Sequence, residues 1–581
     1  MPSLVFLIAA LWRGGVNLWR RLRRRRIDWV RMELSGSLPE LADQPVWWQR
    51  RFANAATPLS LLALRRRLER LADDGQIRGL IVVIRDLSAG WAAIQGLHDA
   101  LHSYRQAGKR VVAYLPAADT RAYFAACGAD LVLMPPSADL NLIGLRVEAT
   151  FLGDALRLAG FEAEVVAVSP YKSGGDQLAR GAISPEAREQ LERIMDDRFT
   201  MLVETVSAAR GLAAERVRDL IDQAPLRAPD ACAVGLLDAA CYEDELEAYL
   251  QQLDTAQPAG ATPPAADAPG PQPEDGLTIL DWHQADRRIA LAPLRRERHY
   301  VGVVQVAGAI AQGPSRRSPL PLPILGGSLA GSDSIAQALR RAERDRRIAA
   351  VVMHIDSPGG DSFASDLIWR EALRLSRRKP LVVSMGNVAA SGGYYIAAPA
   401  RAIVARPATL TGSIGVYAVR PNGAAFLQRA SVGVAVVGRG AHSGLFSPLH
   451  PLADDERAVL TRIVAESYTI FKQRVREGRG LDEHQLEPIA GGRVWTGREA
   501  ELLGLVDDLG GLPAAVARAR ELARLPPDPR AALLLVRPTG RRDLLPRPFP
   551  TDEPPGPLPE LIEDLLRTRV LAAVPFLMRE G

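Results

Sequence analysis

The chain has 581 residues, too many for one hydrophobic core, and its 47% hydrophobic and 24% charged content is that of an ordinary globular protein split into domains. Its formal net charge of +5 gathers in the run RRLRRRR at Arg20–Arg26, leaving the rest near neutral, which argues against a nucleic-acid groove. Three cysteines, Cys127, Cys232 and Cys241, and eight scattered histidines lack metal-ligand spacing, so buried thiols are expected and no metal.

The predicted elements begin with residues 1–26, a basic and apolar membrane-proximal segment. Leu4–Trp12 is continuously apolar but about half the length that spans a bilayer, and Arg13 with Gly14–Gly15 interrupts it. The charges follow the apolar stretch, the reverse of a signal peptide. An interfacial anchor is expected, with Leu, Phe and Trp in the lipid boundary and arginines on anionic headgroups. A disordered basic tail is the alternative.

Residues 27–253 alternate strands and helices. IRGLIVVIRD (77–86) reads as a buried strand, a helix follows, and GKRVVAYL (108–115) is the next strand. Residues 254–276, rich in Pro, Ala and Gly, form a linker that cannot bury enough surface to order itself. Residues 277–525 then repeat the pattern with IAAVVMHID (348–356) and KPLVVSMG (379–386). Tyr123 matches Tyr394 at a separation of 271, YKSG from Tyr171 matches AHSG from Ala441 at 270, and ACAVGLLD (231–238) matches AELLGLVD (500–507) at 269. The near-constant offset marks an internal duplication. Each copy reads as βαβ units, so the fold class is α/β with two tandem domains. A helix over 453–477 belongs to the outer layer; its first-half counterpart starts at Ser184 as N-cap with Pro185 in the first turn. The tail, 526–581, holds two apolar helical patches, LPELIEDLLRTRVLAAVPFLM being the clearer.

Chemistry gathers around Ser391 in GNVAASGGYYIAAPA (386–400), after a strand and at a helix start. Thirty residues upstream, IDSPGGDSFASDLIW (355–369) places Gly359–Gly360 at a similar turn. Backbone N–H groups from two such turns can converge as an oxyanion hole; two ordinary glycine-rich turns are the plainer alternative.

These motifs, DSPGG, AASGGYYIA, TLTGSIG (409–415) and RVWTGREAELLGLVDDLGG (493–511), resemble the signal peptide peptidases of the protease IV type. The resemblance covers about residues 45–255 and 298–525 and implies the long tandem form with two crotonase/ClpP-like domains. It further implies a membrane-associated Ser/Lys endopeptidase acting on apolar peptides such as cleaved signal peptides, without cofactor, and assembled as a homo-oligomer. In the first half the resemblance rests on little beyond the repeat and PYKSG.

A serine hydroxyl needs a base. The first histidine after Ser391 is His442, too remote in sequence to suggest a triad. Opposite His442 in the repeat stands Lys172 of SPYKSGGDQ, while opposite Ser391 stand only Thr120–Arg121, and RDLSAG (85–90) replaces the SPGG turn. Such complementary loss suggests one site drawn from both halves. The resemblance carries over as Ser391 the nucleophile, Lys172 the general base and Ser413 the residue orienting the lysine. Gly360 and Gly392 are the oxyanion donors, with Gly359 an alternative to Gly360. Lys172 must then be neutral when it acts, through burial by AEVVAVSPY (163–171). Two other classes stay open: an acyl-CoA enzyme of crotonase fold and an inactive membrane scaffold.

Overall fold

The computed structural model describes residues 2–22, 26–42, 58–255, 277–292, 298–322, 326–538, 571–573 and 579–580. Two compact units arise, one of Met1–Leu145 with Phe199–Arg296, the other of Arg146–Arg198 with Glu297–Gly581.

The first unit is built on a six-stranded parallel sheet in the order 239–240, 131–134, 110–114, 79–87, 29–36, 279–281. In Gly79–Leu87 the first six residues are buried on both faces, as a central parallel strand demands. The helix Leu61–Ala72 starts on Ser60, whose hydroxyl accepts the Ala63 N–H. The N-terminal helix Pro2–Leu22 runs unbroken through Gly14–Gly15, where the apolar stretch ends. Arg20 ties it down by donating to the carbonyls of Asp286 (2.8 Å) and Ile289 (2.6 Å), and Asn17 bonds the Leu291 backbone. No helix among the described residues is long and apolar enough to cross a membrane.

The second unit has a central sheet in the order 494–496, 410–412, 381–390, 348–357, 300–307, 533–535, with Ala402–Ala405 beside 381–390. The strands from 300 to 412 run parallel. A second sheet includes, in order, 309–311, 359–361, 571–573, 417–422 and 162–167. Its last strand, Glu162–Ala167, comes from far upstream in the chain and pairs antiparallel with Tyr417–Asn422, from Tyr417↔Ala167 to Asn422↔Glu162. The buried pair Arg420–Glu164 (2.7 Å) locks it, and Glu164 also accepts the Leu452 N–H.

Matching hydrogen bonds mark the duplication within each unit. In the first, the Tyr123 hydroxyl donates to the Leu236 carbonyl, and Asp238 binds Arg210 and the Val132 N–H. In the second, Tyr394 donates to Leu505, and Asp507 binds Arg479 and the Ile403 N–H. Ser184 caps its helix by accepting the Ala187 N–H, and the helix expected over 453–477 spans Asp454–Arg479, ending on Gly480 at φ 68°. Helix Leu246–Thr255 enters the expected linker; its residues 256–276 lie outside the described residues. So do 558–570 and 574–578 of the apolar tail patch, while Leu571–Ala573, expected to be helical, is a strand. Both its edges meet strands, which favours extended backbone over a local helix.

Candidate active site

Ser391 ends the strand Leu381–Ala390 and starts the short helix Gly392–Ala397. Its backbone sits at φ 55°, ψ −117°, a conformation that costs an L-residue about 1–3 kcal/mol. Its N–H donates to the Gly412 carbonyl at 2.8 Å, and its own carbonyl accepts the Tyr395 N–H. The Ser391 N–H is therefore engaged, whereas Gly392, first in its helix, has no acceptor within that helix. The matching turn in the first unit is ordinary: Asp119 (φ −89°) caps a helix beginning at Thr120, whose hydroxyl bonds the Gly144 carbonyl.

Gly360 lies in the short strand Gly359–Asp361 with φ 156°, and a Cβ there would strike the Ile310 carbonyl. A Cβ on Gly392 would come within 3.2 Å of both the Gly360 nitrogen and the Gly359 Cα. Only glycine lets these two backbones meet, and the two expected donors share one spot beside the Ser391 turn.

Lys172 follows the Glu162–Ala167 strand and is 1% exposed. Its Nζ lies 2.7 Å from Ser391 Oγ and 2.9 Å from both the carbonyl oxygen and the Oγ of Ser413. Both serines are fully buried, and Ser413, like Ser391, has a left-handed backbone (φ 51°). Desolvation holds the Lys172 pKa well below the ordinary lysine value. Ser391, Lys172, Ser413, Gly360 and Gly392 thus come together inside one unit. His442 does not join them: it is exposed, 3.7 Å from the Asp455 carboxylate.

Sequence reasoning missed the groups that hold the lysine. A Cβ on Gly492 would lie 2.6 Å from Lys172 Cβ and 2.8 Å from its backbone nitrogen. The Ser169 hydroxyl donates to the Gly491 carbonyl and accepts the Tyr171 N–H. Gln190 donates to the Tyr171 carbonyl and accepts the Val494 N–H, and Arg493 stacks 3.8 Å over the Tyr171 ring. The Gly491–Gly492 pair was the one available signal, directly before the RVWTGREA motif.

A serine at a strained strand-to-helix turn, facing a buried amine and paired glycine N–H groups, has the build of a serine hydrolase. The sequence profile of Peptidase family S49 matches residues 103–257 and 374–526, one stretch in each half. The chain belongs to that family and is a serine protease of the tandem protease IV type. Serine protease SPPA, chloroplastic, of Arabidopsis thaliana is 31% identical over 525 residues, covering 90% of this chain and 73% of that protein. Protease 4 of Haemophilus influenzae is 27% identical and covers 84% and 78% respectively. Among solved structures, a ClpP1 variant from Listeria monocytogenes is 13% identical, covers 37% of this chain and 94% of its own, and has a TM-score of 0.24, too loose to bear on the site.

Proposed function

We propose that the protein is a membrane-associated endopeptidase that hydrolyses apolar peptides, such as cleaved signal peptides, with Ser391 as nucleophile and Lys172 as general base. The observation that carries this reading is the 2.7 Å separation of Nζ and Oγ in a fully buried setting. A neutral amine has two N–H groups and one lone pair. The N–H groups donate to the carbonyl and hydroxyl oxygens of Ser413, which leaves the lone pair for the Ser391 hydroxyl proton.

Ser391 Oγ attacks the scissile carbonyl while its proton passes to Lys172 Nζ. The oxyanion receives the N–H groups of Gly392 and Gly360. Lys172 returns the proton to the leaving amine; its Nζ then deprotonates the water that attacks the acyl-enzyme and passes that proton to the departing Ser391 Oγ. Membrane association draws on the exposed apolar residues of the N-terminal helix. Self-assembly is supported by exposed valines in 432–437, Val437 being 89% accessible.

Ser391→Ala and Lys172→Ala should each lower hydrolysis of an apolar peptide ester by at least about a thousandfold. A fluorophosphonate probe should label Ser391 in the wild-type chain. Undiminished hydrolysis by Ser391→Ala, or a trapped adduct on another residue, would refute the assignment.

A further inference from the structure

An oxyanion hole drawn from Gly360 and Gly392 needs N–H groups from two separate elements, the strand Gly359–Asp361 and the helix Gly392–Ala397, held at one spacing while charge develops. The strand runs straight into the helix Ser362–Ser376, whose start is fixed by the Asp361 carboxylate accepting the Ala364 N–H at 2.7 Å. Two adjacent residues of that helix grip the helix that follows Ser391. Ser365 is fully buried and donates to the Asp361 carbonyl, and a Cβ on Gly392 would come within 2.6 Å of its Oγ. Asp366 accepts the Tyr395 hydroxyl at 2.7 Å. Tyr395 lies one turn beyond Ser391, whose carbonyl accepts the Tyr395 N–H.

Tyr395 is buried, its ring packed on Phe471 and Trp369 at centroid distances of 4.8 and 6.3 Å. Burial, and then the bond to Asp366, hold its pKa above the ordinary tyrosine value, so the hydroxyl stays a donor. Arg474 backs the Asp366 carboxylate at 3.7 Å while its guanidinium lies over the Trp369 ring. The duplication separates this bond from ordinary packing. Tyr394 and its match Tyr123 both donate to a backbone carbonyl, so that hydroxyl serves the fold in both copies. At the same offset of 271, Tyr395 corresponds to Phe124, whose ring meets Trp91 edge-on as Tyr395 meets Trp369. The copy that has Thr120 in place of Ser391 keeps the aromatic packing and lacks the hydroxyl.

We propose that Tyr395, through its bond to Asp366, is a positioning residue that sets the spacing of the Gly360 and Gly392 N–H groups around the oxyanion. The proposal rests on the reading of Ser391 as nucleophile and of these two glycines as donors. A misplacement of about 1 Å at such a site costs up to about a hundredfold in rate, and a released helix with its backbone bonds intact shifts by less. Loss of the Tyr395–Asp366 bond therefore costs about tenfold in kcat.

The test uses the full-length chain and an apolar peptide ester. Tyr395→Phe, which keeps the ring, should lower kcat about tenfold and leave KM unchanged. It should weaken inhibition by the matching peptide aldehyde, whose adduct oxygen takes the oxyanion's place, by the same factor. The rising pH limb of kcat/KM, which follows Lys172, should stay where it is. Asp366→Ala should match Tyr395→Phe, and the double variant should be no worse than either. Asp366→Asn, which still offers an oxygen to the hydroxyl, should recover most of the loss. Wild-type kcat in Tyr395→Phe, losses that multiply in the double variant, or aldehyde inhibition that stays tight while kcat falls would overturn the proposal and leave Ser391 in its role. Hydrolysis that survives Ser391→Ala would instead remove the nucleophile reading, and this proposal with it.

Discussion

On the proposed mechanism the chemistry turns on Lys172, and its burial makes two opposing demands. A lysine whose folded pKa lies below its unfolded value binds fewer protons folded than unfolded throughout the interval between the two. Within that interval stability rises with pH; below the folded pKa the full cost of burying the charged amine is present. Lys172→Met keeps most of the volume and removes the titration. Its melting temperature should exceed the wild type's at neutral pH, the gap closing as pH approaches the ordinary lysine range, while activity is lost. Thermal unfolding from neutral to alkaline pH measures this, and a variant less stable than wild type throughout would contradict it. The wild-type kcat/KM should rise with pH along one limb, as the amine loses its proton.

Elements explain why that amine stays in place. The lysine hangs from the end of one strand and is clamped from behind by the turn Ala490–Arg493, where Gly492 has φ 92°. Gly492→Ala adds left-handed strain and pushes Lys172, whereas Gly480→Ala adds comparable strain (φ 68°) with nothing within 4 Å of the new Cβ. Gly480→Ala should lose about 1 kcal/mol of stability by denaturant titration and Gly492→Ala more, because its new Cβ meets backbone; only Gly492→Ala should also lower kcat, by about tenfold or more. Equal kcat in the two variants would remove the turn from the mechanism. The same comparison shows what was legible in sequence. Ser391, Ser413, Gly360 and Gly392 lie in short motifs whose turn chemistry is local, and the repeat offset singled out Lys172. The clamp was illegible because its contacts are long-range: Ser169 meets Gly491 across 322 positions and Gln190 meets Val494 across 304. The tail strand reads as helix in sequence because an apolar run shows its period but not the two edges waiting for it.

At the scale of the whole molecule, duplication supplies the α/β framework twice, and the first-half turn at Asp119–Thr120 is an ordinary capped helix while the second holds a strained serine. What the N-terminal helix adds is a surface. Ile8, Leu11, Trp12, Leu18, Trp19 and Leu22 recur at three- and four-residue steps and are 55–79% exposed, while Arg20 and Asn17 on the other side bind the protein body. Solvating that stripe is unfavourable, and its length and composition suit a bilayer interface rather than a span. The arginines that follow Arg20 in the basic run add attraction to anionic lipid of about 1 kcal/mol per charge near the surface. The full chain should therefore co-sediment with vesicles containing phosphatidylglycerol at low salt and be partly released at high salt, as Debye screening shortens the reach of the arginines. Leu11→Asp with Leu18→Asp should abolish the salt-resistant fraction yet leave hydrolysis of a small soluble ester unchanged, since neither residue belongs to the unit that holds Ser391 and Lys172. If the doubly substituted chain sediments like the wild type, the stripe does not bind lipid, and the membrane reading loses its structural support.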